Sequence, residues 1–383
     1  MSALSGVSDT AADHERLRQA LTLAEDAIGL SEPNPRVGCV IADDRGRTLG
    51  VGATREAGGP HAEVVALQAA RAAGHLLRGA TAWVTLEPCA HHGRTPPCCD
   101  ALIDAGLARV VVAIGDPFPQ VAGRGIERLR AAGVRVDLAA DLGLPDVERA
   151  ARELNLGFFS RVQRGRPWLR MKAAISLDGR SALPDGRSQW ITGEAARTDG
   201  HGWRRRAGAL LTGVGTVNAD DPRLDVRLVP TARQPLRVIV DSRLQTPPQA
   251  RILPPPGAVL LYAAADEPAR RAALQARGAE IALQPGSGGK VDLQAMLQDL
   301  AARGINELHV EAGHQLNASL LATGWVDELL VYVAPKLLGE GAGLAALVPP
   351  ATLDDVAPWR FVDVTPVGDD LRLRLRPPGR ERF

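Results

Sequence analysis

Residues 59–103 read GPHAEVVALQAARAAGHLLRGATAWVTLEPCAHHGRTPPCCDALI. Two parts of this region have helical spacing, HAEVVALQAARAAG (61–74) and PPCCDALIDAG (96–106, running just past its end). Between them, ATAWVTL (80–86) is a short apolar run rich in β-branched and aromatic residues, the composition of a strand. Working outward, strand patterns recur at VGCVIA (37–42) and ARVVVAIG (108–115). A helix pattern over 14–30 places Leu17, Leu21, Ala24 and Ile28 on one face, until Pro33 and Pro35 stop it. Strand and helix alternation of this kind predicts an α/β layer domain.

The same region concentrates metal-type ligands. His61 and Glu63 stand two apart, and after twenty-four further residues come Pro88-Cys89 and then Cys98. Imidazole and thiolate suit a borderline-soft ion such as zinc, and a catalytic zinc takes three protein ligands with a water in the fourth position. His61, Cys89 and Cys98 fit that count. His61 follows Gly59-Pro60, and Cys98 follows Thr95-Pro96-Pro97. Both are helix openings, where the dipole favours a thiolate. At a first helical turn Glu63 reaches the metal-activated water without ligating, and serves as the proton carrier. The pattern is that of zinc-dependent base deaminases, H-x-E followed by P-C-x-x-C, with eight residues (AHHGRTPP) in place of two between the cysteines. Cys99 is the rival ligand, although one residue along a helix it points about 100° away. Cys39, inside a strand pattern, reads as packing. His91 and His92 read equally as substrate contacts or as loop residues.

The whole chain has 383 residues, which predicts two domains. Apolar residues make up 45% and charged residues 23%, an ordinary globular balance. With 45 basic against 44 acidic residues and 3% aromatics, neither a polyanion-attracting field nor a stacking platform is present, which disfavours a nucleic-acid partner. No apolar run is long enough for a bilayer, and MSALSGVSDTAA (1–12) lacks the features of a signal peptide. A cytoplasmic chain with no membrane partner is expected. Four cysteines, three of them within eleven residues, then imply metal or chemistry in preference to disulfides.

Around FFSRVQRGRPW (158–168) periodicity fails, and basic residues, Gly and Pro collect, so a connection is expected there. The domains are placed at 13–160 and 165–380. Beyond the connection, strand patterns recur at 169–176, 208–215, 235–242, 258–264, 306–313 and 328–335, predicting a second α/β domain. QPGSGGK (284–290) lacks the first Gly and the Ser/Thr of a phosphate-binding loop, having Gln284 and Val291 there, and is read as a turn. The strand end at Thr212-Gly213-Val214-Gly215-Thr216 and the turn Val310-Glu311-Ala312-Gly313, which leads into a helix pattern, are better places for backbone amides to approach a phosphate.

Several stretches together carry a resemblance. SEPNPRVGCVI (31–41), GPHAEVVAL (59–67), TLEPCAHHGRTPPCCDALI (85–103) and DPFPQVAGRG (116–125) closely resemble the deaminase half of the bifunctional riboflavin-biosynthesis deaminase/reductase. KAAISLDGR (172–180), SQWIT (188–192), LLTGVGTVNADDPRLDVR (210–227), VDSR (240–243), VEAG (310–313) and VDELLVYVAPKLLG (326–339) extend it through the second half. The resemblance implies a cytidine-deaminase-like three-layer domain followed by a dihydrofolate-reductase-like α/β domain. The first would bind one zinc ion and deaminate 2,5-diamino-6-(5-phosphoribosylamino)pyrimidin-4(3H)-one. The second would use NADPH to reduce the ribose of 5-amino-6-(5-phosphoribosylamino)uracil.

By position, the resemblance puts Ala174, Trp190, Thr216, Asp220, Ser242 and Gly313 against the cofactor. Asn34, Arg94, Ser188, Arg204, Leu224, Arg227 and Glu311 would meet the substrates. Guanidinium forks suit a ribose phosphate, so Arg94, Arg204 and Arg227 are the anion-binding candidates. Lys172 and Glu311 form the expected catalytic pair for hydride transfer. Relatives are homo-oligomers, and the same is expected here. The family commonly has Asn at the position of Phe118, so a substrate contact made by that Asn must be supplied differently in this chain. Two other readings remain: a nucleic-acid base deaminase with an accessory domain, and an inactive module that kept the fold.

Overall fold

A computed structural model describes residues 3–91, 96–118 and 122–383, with side chains from residue 10 onward. The chain divides into Met1–Arg164 together with Phe383, and Gly165–Arg382.

In the first unit the elements run α1 (Ala3–Ala24), β1 (Gly38–Ala42), β2 (Thr48–Ala53), α2 (Ala62–Ala72), β3 (Thr81–Val84), α3 (Cys98–Asp104), β4 (Arg109–Val112), α4 (Arg124–Ala131), β5 (Arg135–Leu138), α5 (Pro145–Leu154) and α6 (Leu156–Arg164). The sheet order is β2-β1-β3-β4-β5, antiparallel at β2/β1/β3 and parallel from β3 to β5. β1 is buried along its whole length, as its unbroken apolar sequence requires. The helix α2 lies directly on β2, because Gly52 has no side chain: a Cβ there would stand 2.4 Å from the Ala62 carbonyl oxygen. That close approach fixes where the first turn of α2 falls.

The expected connection at 158–168 is corrected by the structure. Leu156–Arg164 is a helix, and Phe158, Phe159 and Ser160 are buried on its inner face. Its basic residues misled the reading because they lie along apolar surface while their charge stays near polar atoms. Arg161 stacks 5.7 Å over the Phe158 ring and donates from Nη2 to the Pro33 carbonyl at 3.0 Å. Asn155, between α5 and α6, exchanges two hydrogen bonds with the Arg36 backbone, 2.7 and 2.9 Å. The chain turns out of the unit at Gly165, whose φ of 66° is in the left-handed region.

The second unit runs β6 (Trp168–Ser176), β7 (Arg180–Ala182), α7 (Glu194–Arg206), β8 (Ala209–Gly213), α8 (Val214–Asp220), β9 (Leu236–Val240), β10 (Val259–Ala263), α9 (Pro268–Gln275), β11 (Ala279–Leu283), α10 (Leu293–Ala302), β12 (Glu307–Val310), α11 (His314–Ala322), β13 (Glu328–Ala334), β14 (Ala342–Gly343), β15 (Arg360–Val367) and β16 (Asp370–Arg376). Among the described residues the main sheet is β11-β10-β9-β8-β12-β6-β13-β16-β15, parallel from β11 to β13 and closed by the antiparallel β16 and β15. From β8 the chain winds outward to β11, then returns to lay β12 between β8 and β6. The sequence pattern 208–215 overran the strand: β8 ends at Gly213, and Val214 already starts α8.

One face of this sheet is charged. Arg170, Glu307, Glu328 and Arg376 are each at most 1% exposed. Arg170 joins Glu328 at 2.6 Å and Glu307 at 2.9 Å, and Arg376 joins Glu328 at 2.6 Å. Trp203 of α7 lies against this face, its ring 4.5 Å from the Arg170 guanidinium and 5.2 Å from that of Arg374. Among the described residues no helix is long and apolar enough to cross a membrane.

Candidate active sites

His61 caps the N-terminus of α2 and Cys98 is the first residue of α3, so two ligands are set by helix starts. Cys89 lies beyond β3, and its sulfur accepts a hydrogen bond from the Cys98 backbone N–H at 3.3 Å. His61 Nδ1 is 3.2 Å from Cys98 Sγ and 3.7 Å from Cys89 Sγ, and all three ligand atoms lie within 4.8 Å of one another. Zn–S and Zn–N bonds of about 2.3 and 2.0 Å in a tetrahedron put ligand atoms roughly 3.5–3.8 Å apart, so this donor set fits zinc in number, softness and spacing. Cys99 is not in the group; its sulfur faces Asp100 Oδ1 at 3.7 Å.

Glu63, in the first turn of α2, is 3% exposed. Burial pushes its carboxyl up to about 7, while His61 pulls the other way. Cys89 is the thiol held down, to about 4, by the hydrogen bond from Cys98 against burial, with His61 adding to the effect. That same contact with Cys89, together with burial, raises Cys98. The cluster therefore favours a thiolate, with the buried Glu63 carboxyl beside it.

Around this group, Asn34 sits in the turn before β1, its N–H bonded to the Ser31 carbonyl at 2.9 Å. No hydrogen bond joins it to the three ligands among the described residues. The His91 ring meets Phe118 edge-on, centroids 5.7 Å apart. His92 and Arg94 lie outside the described residues.

In the second unit, the parallel strands bring most of the expected residues to their C-terminal ends. Glu311, just past β12, is gripped by Arg204 of α7 through Nε–Oε1 at 2.5 Å and Nη2–Oε2 at 2.9 Å. Lys172 of β6 has its ammonium 3.9 Å from Glu311 Oε2 and 5.8 Å from the Tyr332 ring centroid. Burial lowers the Lys172 pKa, with Glu311 opposing and Arg204 reinforcing. Burial opposes ionisation of Glu311, but Arg204 and Lys172 outweigh it and hold that carboxyl well below its ordinary value.

Gly313 caps α11, and its N–H donates to Thr216 Oγ1 of α8 at 3.1 Å. The two turns expected to approach a phosphate thus meet where β12 is inserted beside β8. A reversal of strand order leaves a crevice at the strands' C-terminal ends, the place where open α/β sheets bind ligands. Ser242 follows β9 and accepts the Val291 N–H on its hydroxyl at 3.2 Å. Ser188 hydrogen-bonds Asp220, partly offsetting the rise that burial gives that carboxyl. Trp190 is exposed, with the Arg197 guanidinium 4.8 Å over its ring. Ala174 lies in β6 opposite Tyr332. Leu224 is buried at φ 48°, and Arg227 pairs with Asp225 at 2.5 Å.

Sequence reasoning missed His201, Asp225 and His309. His201 accepts the Arg227 N–H at 3.1 Å, and Arg204 donates to the Asp225 carbonyl at 2.9 Å. His309 is fully buried below Glu311, 3.5 Å away. Asp225 stood within a quoted motif; the histidines gave no spacing signal.

Residues 10–114 match the cytidine and deoxycytidylate deaminase zinc-binding region, and 167–373 match the RibD C-terminal domain, more than half of the chain. The riboflavin biosynthesis protein RibD of Escherichia coli is 44% identical over 376 residues, covering 95% of this chain and 99% of that one. The chain belongs to the RibD family. RibD of Aquifex aeolicus is 41% identical over 335 residues, with 88% and 90% covered. The Acinetobacter baumannii RibD structure matches with a TM-score of 0.84 at 39% identity, covering 96% of this chain and 99% of that one. A Thermotoga maritima diaminohydroxyphosphoribosylaminopyrimidine deaminase/5-amino-6-(5-phosphoribosylamino)uracil reductase matches at 0.84 and 31% identity over the same shares. As a RibD, the chain is a bifunctional enzyme of riboflavin biosynthesis, a zinc-binding deaminase domain followed by a reductase domain. The resemblance read from the zinc loop and the reductase motifs is borne out, and the nucleic-acid and inactive-module readings fall away.

Proposed function

We propose that residues 13–160 deaminate 2,5-diamino-6-(5-phosphoribosylamino)pyrimidin-4(3H)-one and that residues 165–380 reduce the ribose of the resulting 5-amino-6-(5-phosphoribosylamino)uracil to its ribityl chain. The observation that carries this reading is the convergence of His61, Cys89 and Cys98 with Glu63 buried at the first turn of the same helix. Those three residues hold zinc, which when bound supplies a Lewis acid that makes water a nucleophile near neutral pH. Glu63 takes a proton from that water and delivers it to the departing amine; water's oxygen replaces nitrogen on the ring, and ammonia leaves.

In the second domain NADPH supplies the hydride. Ala174, Trp190, Thr216, Asp220, Ser242 and Gly313 would hold it, the backbone amides of the Gly313 and Thr216 turns being suited to an anionic phosphate. Lys172, kept beside Glu311, gives a proton to the ring-opened sugar oxygen as hydride reaches carbon. Ser188, Arg204, Leu224, Arg227 and Glu311 orient the ribotide, and Asn34 and Arg94 serve the deaminase substrate. The chain works in the cytoplasm as a homo-oligomer; a monomer mass by light scattering would end the latter claim.

The deciding experiment adds the diaminopyrimidine ribotide and NADPH to zinc-loaded protein and follows ammonia and NADPH absorbance together. Matching amounts of ammonia released and NADPH consumed are expected. Ammonia alone would confine the reading to the first domain, and neither signal would overturn it.

A further inference from the structure

Glu87 stands two residues before the ligand Cys89 and is 3% exposed, yet the chemistry above makes no use of it. Its carboxylate accepts four backbone N–H groups. Oε2 takes Asp116 at 3.2 Å and Gly123 at 3.0 Å; Oε1 takes Gly125 at 2.9 Å and Ile126 at 3.3 Å. The two oxygens thus tie Asp116 to Gly123, Gly125 and Ile126 at the start of α4. Four N–H donors are what a buried carboxylate requires to be tolerated without a counter-ion.

Asp116–Phe118 lies beside the zinc group. Asp116 Oδ1 accepts the Phe118 N–H at 2.8 Å, and Phe118 meets His91, two residues past Cys89. On the other side, Gly125 presses against the segment that leads into Cys89 so closely that a Cβ would fall 1.9 Å from the Pro88 carbonyl oxygen. Cys89 itself is held from its far side, where the Cys99 N–H donates to its carbonyl at 3.2 Å.

We infer that Glu87 is a positioning residue of the deaminase: it locks the Asp116–Phe118 segment at a fixed distance from the Cys89–His91 segment, and so shapes the substrate side of the zinc site. This rests on the deaminase assignment proposed above. Glu87→Gln tests it sharply, because an amide keeps one accepting oxygen but turns an NH2 toward two of the four N–H donors, either Asp116 with Gly123 or Gly125 with Ile126, and so loosens the clasp. Partners one shell removed from a metal's ligands typically affect activity 10–100-fold.

Zinc content, deaminase kcat and KM, and the reductase rate on predeaminated ribotide are measured on full-length Glu87→Gln, Glu87→Asp and wild type. The expected result is one zinc per chain, deaminase kcat/KM lower by roughly 10-fold or more, chiefly through KM, partial recovery in Glu87→Asp, and an unchanged reductase. Unchanged deaminase kcat/KM in zinc-loaded Glu87→Gln overturns the inference, as does activity lost only in proportion to zinc. If Glu87→Gln fails to fold, Gly125→Ala decides, since it displaces the same contact from the opposite side; normal kinetics there also overturn the inference. Absence of ammonia release by wild type would sink the deaminase assignment itself.

Discussion

Arg204 and Glu311, 107 residues apart in sequence, face each other as a two-pronged ion pair at 2.5 and 2.9 Å on the reductase side of the chain. Both are largely shielded, with side chains 14% and 17% exposed. A lysine cannot reproduce the planar fork. Arg204→Lys is therefore expected to slow NADPH oxidation by roughly 10–100-fold, the scale of about 1.4–2.8 kcal/mol, while ammonia release from the first domain stays at the wild-type rate.

Lys172 gives the reductase a pH signature. If its ammonium is the proton donor, activity is full below its pKa and is lost as pH rises through it. Burial and Arg204 lower that pKa, so the alkaline limb should fall short of the ordinary lysine value of about 10.4. Removing the nearby guanidinium in Arg204→Gln should move the limb upward, and a profile flat through pH 10 would remove Lys172 from this role.

Glu63→Gln keeps the size of the side chain and loses the carboxylate. Ammonia release should drop by about 10²–10⁴-fold, with zinc still present at one per chain by metal analysis.

The choice between adjacent cysteines is open to direct measurement. Cys98→Ala should lose zinc and deaminase activity, whereas Cys99→Ala, whose sulfur faces Asp100, should keep both. Chelation of the wild type should abolish ammonia release and spare NADPH oxidation on predeaminated ribotide.

The buried Glu328 network predicts acid sensitivity. Burial opposes its ionisation, but Arg170, Arg374 and Arg376 hold its carboxyl well below the ordinary value. A depressed folded-state pKa means its stabilisation is present above the unfolded value of about 4.3 and is lost as pH falls toward the folded one. Calorimetry from pH 7 to 3 should show a steep fall in Tm below about pH 4.3. Glu328→Gln should flatten that fall and cost about 3–5 kcal/mol near neutrality, because removing one partner strands buried charge.

Legibility from sequence followed the polarity of each element's inner face. β1, β8 and β10 are apolar and buried, and their patterns stood out. β16, DLRLRLR, alternates just as regularly but in reverse: Arg372, Arg374 and Arg376 face Asp199 and Glu328, while Leu371 is exposed. α7, ending in three arginines, hid for the same reason, since its inner face covers a charged sheet. The candidate zinc group was legible because His61 and Cys98 sit at helix starts that Pro60 and Pro97 announce. Glu87 was not, because its partners are backbone amides, which carry no residue-type signature.

The insertion of β12 between β8 and β6 bears on how the chain comes to work. A nascent chain ending after β11 has β6 and the run from β8 to β11 in hand but lacks the strand that joins them, and Gly313 cannot yet meet Thr216. The reductase crevice is thus among the last features to be assembled, and its closure depends on pairing distant segments, an entropically slow step. The deaminase ligands, all before residue 99, ask for no such wait.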